Sequence, residues 1–375
     1  MKTTQIRWTS DAGWDRADPH TRNNANLVLV FADHPHFHDP DCYAELQSLF
    51  PKAHVVGCSS SGSILGTSIS DGNIIATAMT FDKGHVELAV EDVGEGAEIE
   101  TIAAQLMNKL SHDDLRHVFV LSDGLKINGS ALAKGLNNVN GNQVAATGGL
   151  AGDGPRFKET WVMADAPAKQ RCIAAIGFYG EFTIKSGCYA GWEEFGAERM
   201  VTRSEGNVVY EIDDQPALAL YKKYLGSQSS ELPASGLRFP LSVRPDKDSA
   251  PIIRTLLAVD ESAQSLTFAG DVREGHYCKL MKTNLDNLID HAAMAARVAA
   301  PDGRHFGGLC LVVSCVGRRL VLGQLTEEEL EVVNEQLGTR MALTGFYSYG
   351  ELAPYGEVLK CQLHNQTMTL TTIYE

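Results

Sequence analysis

Apolar runs and amphipathic stretches follow one another in a repeated order along this chain. Three segments share that order. The first runs LVLVF (27–31), YAELQSLF (43–50), HVVGCSSSGSIL (54–65) and NIIATAMTF (73–81). The second runs HVFVLSDG (117–124), SALAKGLNNV (130–139), QVAATGGLAGDG (143–154) and CIAAIGFY (172–179). The third runs GLCLVVSCVG (308–317), TEEELEVVNEQLG (326–338), RMALTGFYSYGE (340–351) and QTMTLTTIY (366–374). Each predicts a strand, a helix, a short strand closing in a glycine-rich turn, and a returning strand. The continuous β-branched runs predict strands buried on both faces. Gly57, Gly148 and Gly345 align in the three copies.

A longer correspondence links the second and third copies. HVELAVEDVGEGAEIETIAAQLMNKL (85–110) precedes one, and SLTFAGDVREGHYCKLMKTNLDNLIDHAAMAA (265–296) precedes the other. Both predict a strand, a Gly/acid turn and an amphipathic helix. Ile99, Ile102, Ala103, Leu106 and Leu110 fall on one helical face, as do Leu285, Leu288, Ile289, Ala292 and Ala296. Thr326 and Glu329 have the spacing of a capping box, and Gly338 that of a helix stop. PALALYKKYLG (216–226) predicts a helix that opens on Pro216 and stops at Gly226. The expected architecture is α/β: two pseudo-repeated halves, with mixed β-sheets packed face to face and helices on the outer faces.

Composition narrows the function. Hydrophobic residues make up 44% and charged residues 21%, which suits a globular core. The formal charge of −15 would repel a polyanion, so nucleic acid is not an expected partner. No apolar stretch is long enough to span a membrane, and the first residues lack the apolar core of a signal peptide, so a cytoplasmic location is expected. The eight cysteines form no C-x-x-C pair and sit in apolar runs, which predicts buried, reduced thiols.

Several motifs offer chemistry beside a plainer explanation. GGLAGDG (148–154) lacks the following helix that a phosphate loop needs, so it reads as a tight hairpin turn. Cys58-Ser59-Ser60-Ser61 offers a thiol with hydroxyl neighbours, but His54 lies too far along the strand to activate it. A small-residue turn, or a pocket wall of thiol and hydroxyls, are the readings left. Ser314, Cys315 and Arg318 lie at the end of a buried strand, where ligands gather. Arg318 either clamps a carboxylate or phosphate bidentately or pairs with surface acids. His34, His36 and His38 form a cluster read as a solvated loop, with adventitious metal binding as the other reading. His276 and His364 are each candidates for an iron ligand or for a structural hydrogen bond. Tyr349 and Glu351 sit at the third glycine-rich turn, where a tyrosine suits a ligand pocket.

Ordered motifs over most of the chain resemble the FIST family of sensory domains. VGCSSSGSILG (56–66), the TGG turn at 147–154 and Trp161 are similar to its N-terminal half. GNVVYEIDDQPALALYKKYLG (206–226), Phe239-Pro240, the Arg254 strand and LTFAGDVREG (266–275) resemble its middle. SCVGRR (314–319), TGFYSYGELAP (344–354) and HNQTMTLT (364–371) resemble its C-terminal half. The resemblance implies an N-terminal extension at 1–24, an N-terminal FIST domain at 25–200 and a C-terminal one at 201–375. It implies a stand-alone sensor, not an enzyme, that binds a small ligand and regulates a signalling partner. Two versions stay open: a haem-based nitric oxide sensor acting on a histidine kinase, with His276 or His364 on the iron, or a sensor of amino-acid-type metabolites without haem. A pure protein-interaction scaffold is the remaining alternative. The expected ligand pocket comprises Cys58, Ser59, Arg254, Ser314, Cys315, Arg318, Tyr349, Glu351 and Asn365, mainly on the C-terminal half and at the junction.

Overall fold

A computed structural model describes residues 1–140, 144–302, 307–355 and 358–375. It is α/β, with mixed sheets and helices on their outer faces, and each repeated segment builds one sheet. In unit 1, Leu27–Ala32 pairs in parallel with His54–Ser59 and antiparallel with Ile74–Thr80, which in turn pairs with Lys2–Thr9. Unit 2 repeats this with Leu115–Ser122, Ala145–Leu150, Cys172–Tyr179 and His85–Asp92. Unit 3 repeats it with Gly308–Cys315, Met341–Ser348, Met368–Tyr374 and Thr183–Tyr189. The aligned glycines share one steric cause. A Cβ on Gly57, Gly148 or Gly345 would lie 2.0, 1.9 or 1.8 Å from the carbonyl oxygen of Val30, Val120 or Val312 on the parallel neighbour.

The three sheets are closed into a ring by strand exchange. After its parallel partner strand (His54–Ser59, Ala145–Leu150 or Met341–Ser348), each unit sends a strand into another unit's sheet. Ser63–Leu65 joins unit 3, Gly350–Tyr355 joins unit 2, and Val162–Ala164 joins unit 1. Equivalent backbone hydrogen bonds mark the crossings: Ser61 N to Tyr347 O at 2.8 Å, Tyr349 N to Leu150 O at 3.1 Å, and Gly152 N to Ser59 O at 3.1 Å. The segment 148–154 is therefore a crossing between sheets and not a hairpin, because its partner strands lie in different units.

Inward side chains of all three sheets meet in one core that includes Leu29, Phe31, Phe119, Leu121, Leu311 and Phe346. The helices cover the outer faces. Ala103, Leu106 and Leu110 of Ile99–Leu110 are buried as the periodicity predicts. So are Leu288, Ala292 and Ala296 of Leu285–Ala299, while Leu285 at its start is exposed.

The correspondence before copies two and three holds for the helices and fails for the strands. The unit 3 counterpart of His85–Asp92 is Thr183–Tyr189, and the residues between it and the helix form an inserted sheet. That insertion comprises Glu193–Glu205, Val208–Ile212, Leu241–Arg244, Ile252–Arg254, Leu256–Asp260, Ser265–Phe268 and Tyr277–Lys282, with helix Ala217–Leu225 packed on it. Gly226 ends this helix at φ +58, while Pro216 is its N-cap rather than its first residue. Shifts of register in Glu193–Glu205 let this sheet curl around its own apolar cluster.

The capping box also fails. Thr326 is already helical and donates its hydroxyl back to the Gly323 carbonyl at 2.5 Å. Glu329 is drawn inward by Arg318 instead of returning to the helix start.

Candidate functional site

Most of the expected pocket residues are consumed by internal bonds. Arg318 and Glu329 form a fully buried ion pair at 2.9 Å. The guanidinium also donates to the carbonyls of Ala190 and Leu288, and the carboxylate accepts from Ser314 Oγ at 3.1 Å and from the Tyr347 hydroxyl at 2.8 Å. Arg318 and Ser314 thus complete a closed network and are not presented to a ligand. Arg318 does pair with an acid, but a fully buried one rather than the surface acids expected.

Cys58 packs in the central core, and burial raises its thiol well above the ordinary range. Burial does the same to Cys315, with the Glu351 charge second. Neither is a thiolate at neutral pH. His54 is occupied by Asp165 at 2.6 Å. Ser59 Oγ accepts the Trp161 N–H at 2.9 Å, which helps seat the strand donated by unit 2. Glu351 is fully buried and accepts from Ser348 Oγ at 2.5 Å, Thr367 Oγ1 at 2.9 Å and Thr367 N at 3.2 Å. Burial pushes its carboxyl up to about 7 against those donors. Asn365 is buried, and neither its Oδ1 nor its Nδ2 has a hydrogen-bond partner among the described residues.

Room for a ligand lies at the flank, where the inserted sheet meets unit 2. A cleft of about 550 Å³ opens there, and Arg254 and His276 line it. Helix Gly129–Asn140 contributes Ser130, Ala133, Lys134 and Asn137 from one face, and the edge strand Val358–His364 contributes 360–363. Asn137 holds these two walls together: its Nδ2 donates to Cys361 O at 2.8 Å and its Oδ1 accepts from Cys361 N at 2.9 Å. The insertion contributes Arg254 at the end of Ile252–Arg254 and the turn carrying Asp271, Arg273 and His276. Gly275, at φ +78, sets that turn where a side chain would be strained.

Arg254 is the central group. It is only 3% exposed, yet no carboxylate lies within ion-pair distance of it among the described residues. Nε donates to Asp271 O at 3.1 Å, and Nη1 donates to Ile253 O at 3.1 Å and Leu363 O at 3.0 Å. Nη2 has no protein acceptor among the described residues. Burial pulls the guanidinium down to about 10, with the Asp271 charge opposing, so it stays protonated at neutral pH. Gly270 makes the space for it, since a Cβ there would lie 2.9 Å from Arg254 Nε and 3.0 Å from Cζ. A buried guanidinium with a donor to spare can pair with an anion.

A second cleft of about 300 Å³ lies beyond the Asn128–Asp271 hydrogen bond of 3.2 Å, which stands between the two. Tyr349 lines it, stacked on Phe157 with ring centroids 4.4 Å apart. The Tyr349 hydroxyl is tied to the Asp153 carboxylate and to Gly154 O, so the ring wall is fixed.

Of the residues singled out in the sequence, Arg254 and His276 line this cleft, whose Lys134, Asp271, Arg273 and Lys360 the sequence did not single out. Sequence reasoning also put Tyr349 in the Arg254 pocket, whereas the two line adjacent clefts. His364 is 2% exposed and donates through Nε2 to Ala353 O at 3.1 Å; burial lowers it to about 4. The His34–His38 run is held by rings: His34 and His36 pack on Trp8, and His38 on Trp161. Among the described residues, no group of three or more His, Cys, Asp or Glu is placed to hold a metal ion. No helix among them is long and apolar enough to cross a membrane.

Comparison with known proteins bears on this geometry. An uncharacterized protein of Methanocaldococcus jannaschii is 25% identical, over 74% of this chain and 57% of its own length, so the match spans little more than half of that relative. Among solved structures, a chorismatase (9% identity, TM-score 0.33) and a cyanuric acid hydrolase from A. caulinodans (8% identity, TM-score 0.39) each cover 100% of this chain at 98% of their own. Likeness at that level says nothing about chemistry. The FIST N domain matches residues 26–215 and the FIST C domain matches residues 217–354, the second reaching through the inserted sheet that carries Arg254. The chain belongs to the FIST family, whose domains are associated with sensing in signal transduction.

Proposed function

We propose that this protein is a sensor that binds a small anionic metabolite in the cleft between the inserted sheet and unit 2, and that occupancy alters how it engages a signalling enzyme. One observation carries the reading: Arg254 is buried beside that cleft with three donor contacts on backbone carbonyls and, among the described residues, none on a carboxylate. Burying a guanidinium without an anion is costly, and a ligand that supplies the anion recovers part of that cost. The same side chain joins Leu363 of unit 2 to Asp271 of the insertion, so the anion sits where the two parts of the molecule meet. The signalling partner, a histidine kinase or another enzyme, would meet a protein of formal charge −15.

Haem does not fit the residues present. It needs an apolar slot and an imidazole with a free nitrogen lone pair. The His364 ring is only 2% exposed, so it opens onto no slot that could take a porphyrin. His276 opens onto a cleft whose walls carry Lys134, Asp271, Arg273 and Lys360. The reading therefore follows the alternative without haem, and sensing rather than turnover.

The test is a thermal-shift screen of anionic metabolites on wild type and Arg254→Gln. The reading expects at least one compound that raises Tm for wild type and not for the variant. It is wrong if none does, or if Arg254→Gln responds equally.

A further inference from the structure

Resting on the reading above, we infer that the cleft is built for a dianion, either a phosphomonoester or a dicarboxylate, rather than for a zwitterionic amino acid or a simple monocarboxylate. Four cationic side chains line the cleft: Arg254, Arg273, Lys134 and Lys360. Lys134 is matched by Glu100 at 2.5 Å. The other three have no carboxylate within ion-pair distance among the described residues. The cleft itself offers one acid, Asp271, and that carboxylate already accepts from Asn128 Nδ2 at 3.2 Å. Three unmatched cations against one carboxylate leave two positive charges on a protein whose formal charge is −15.

A monocarboxylate would neutralise half of that excess. The ammonium of an amino acid would meet Arg254, Arg273 and Lys360 and find only Asp271 on its side. A dianion balances the site. The geometry divides the work in a way that suits it: Arg254 is buried and immobile, fixed by its three carbonyls, while Arg273 and Lys360 are exposed and free to close on the outer face of the ligand. The single His276 adds to this. Burial, then Arg273 and Arg254, lower its pKa, so it faces the cleft as a neutral donor or acceptor near neutrality. About 550 Å³ admits a metabolite of modest size carrying such a group.

Isothermal titration at pH 8 and low ionic strength tests the class, with sodium phosphate, disodium succinate, sodium acetate and L-alanine as probes. Wild type is compared with Arg254→Gln and with the surface double variant Arg273→Ser/Lys360→Ser, which leaves the buried contacts intact. Phosphate, succinate or both should bind at least tenfold more tightly than acetate and alanine, and the double variant should weaken them at least tenfold. Preference for phosphate alone assigns a phosphomonoester, and preference for succinate alone a dicarboxylate. Acetate or alanine binding as tightly as the dianions overturns the inference while leaving the anion-sensor reading in place. Binding of none of the four overturns it as well, and the metabolite screen on Arg254→Gln then decides that reading separately.

Discussion

Arg254 Nη1 donates to the Leu363 carbonyl at 3.0 Å, and this bond ties the inserted sheet to the edge strand of unit 2. One guanidinium thus serves as the candidate anion receptor and as a strut between two parts of the fold. Arg254→Gln should lose anion binding and loosen the strut. Limited proteolysis should show faster cleavage within 245–276 in the variant, with the units of the ring still protected. Equal protection of that segment in both proteins would separate the two roles.

Gly270→Ala tests the same point without removing the charge. The added methyl would press on Arg254 Nε and Cζ and on Leu363. Titration with the best anion should show at least tenfold weaker binding, with the guanidinium still present. Unchanged affinity would mean that the position of the guanidinium does not matter.

The buried Arg318–Glu329 pair makes a contrasting prediction. Removing one partner leaves the other charge unmatched in the interior, which costs roughly 3–5 kcal/mol. Arg318→Met and Glu329→Leu should each lower stability by that order in urea denaturation, and the double substitution should lose less than the sum of the two. Additive losses would show that the pair is not the source of the effect.

The repeat itself is testable at Gly148 and Gly345. A methyl there would meet the carbonyls of Val120 and Val312 at 1.9 and 1.8 Å, where backbone must move. Gly148→Ala and Gly345→Ala should each cost several kcal/mol, beyond the range of ordinary surface changes. Denaturation midpoints near that of wild type would contradict the shared packing rule.

Much of the ring was legible in the sequence because its determinants are local. Buried strands need continuous apolar runs, and close parallel strands need glycine at one register position, so Gly57, Gly148 and Gly345 reveal the repeat. The strand exchange was not legible, because a strand that pairs with a different unit carries the same pattern as one that pairs with its own. Thr326 and Glu329 show the limit well. Their spacing is that of a capping box, but a buried Arg318 offers the carboxylate a stronger partner. In the cleft, Arg254 came from the motif resemblance, while Lys134 and Lys360 come from the helix and edge strand of unit 2 and Arg273 from the insertion, three stretches far apart in sequence that only the fold brings together.

Acid should destabilise the protein through its buried histidines. Burial lowers His117 to about 3 and His364 to about 4, so the folded chain refuses protons that the unfolded chain takes up below pH 6.5. Each then costs about 1.4 kcal/mol per pH unit on descent from 6.5 toward its folded value. Glu351 works the other way. Its carboxyl, raised to about 7, adds a similar amount per unit as pH falls from 7 to about 4.5, offsetting one of the two. Urea denaturation across pH 4–8 should show Glu351→Gln losing stability faster than wild type on descent from 7 to 4.5. Parallel profiles would place the Glu351 carboxyl in its ordinary range.

The central claim is that an anion occupies the Arg254 cleft. Hydrogen–deuterium exchange, with and without the tightest-binding anion, tests it most directly. Protection is predicted at 252–254, 269–276 and 360–363, and should vanish in Arg254→Gln. Protection confined to other parts of the ring, or unchanged in the variant, would contradict it.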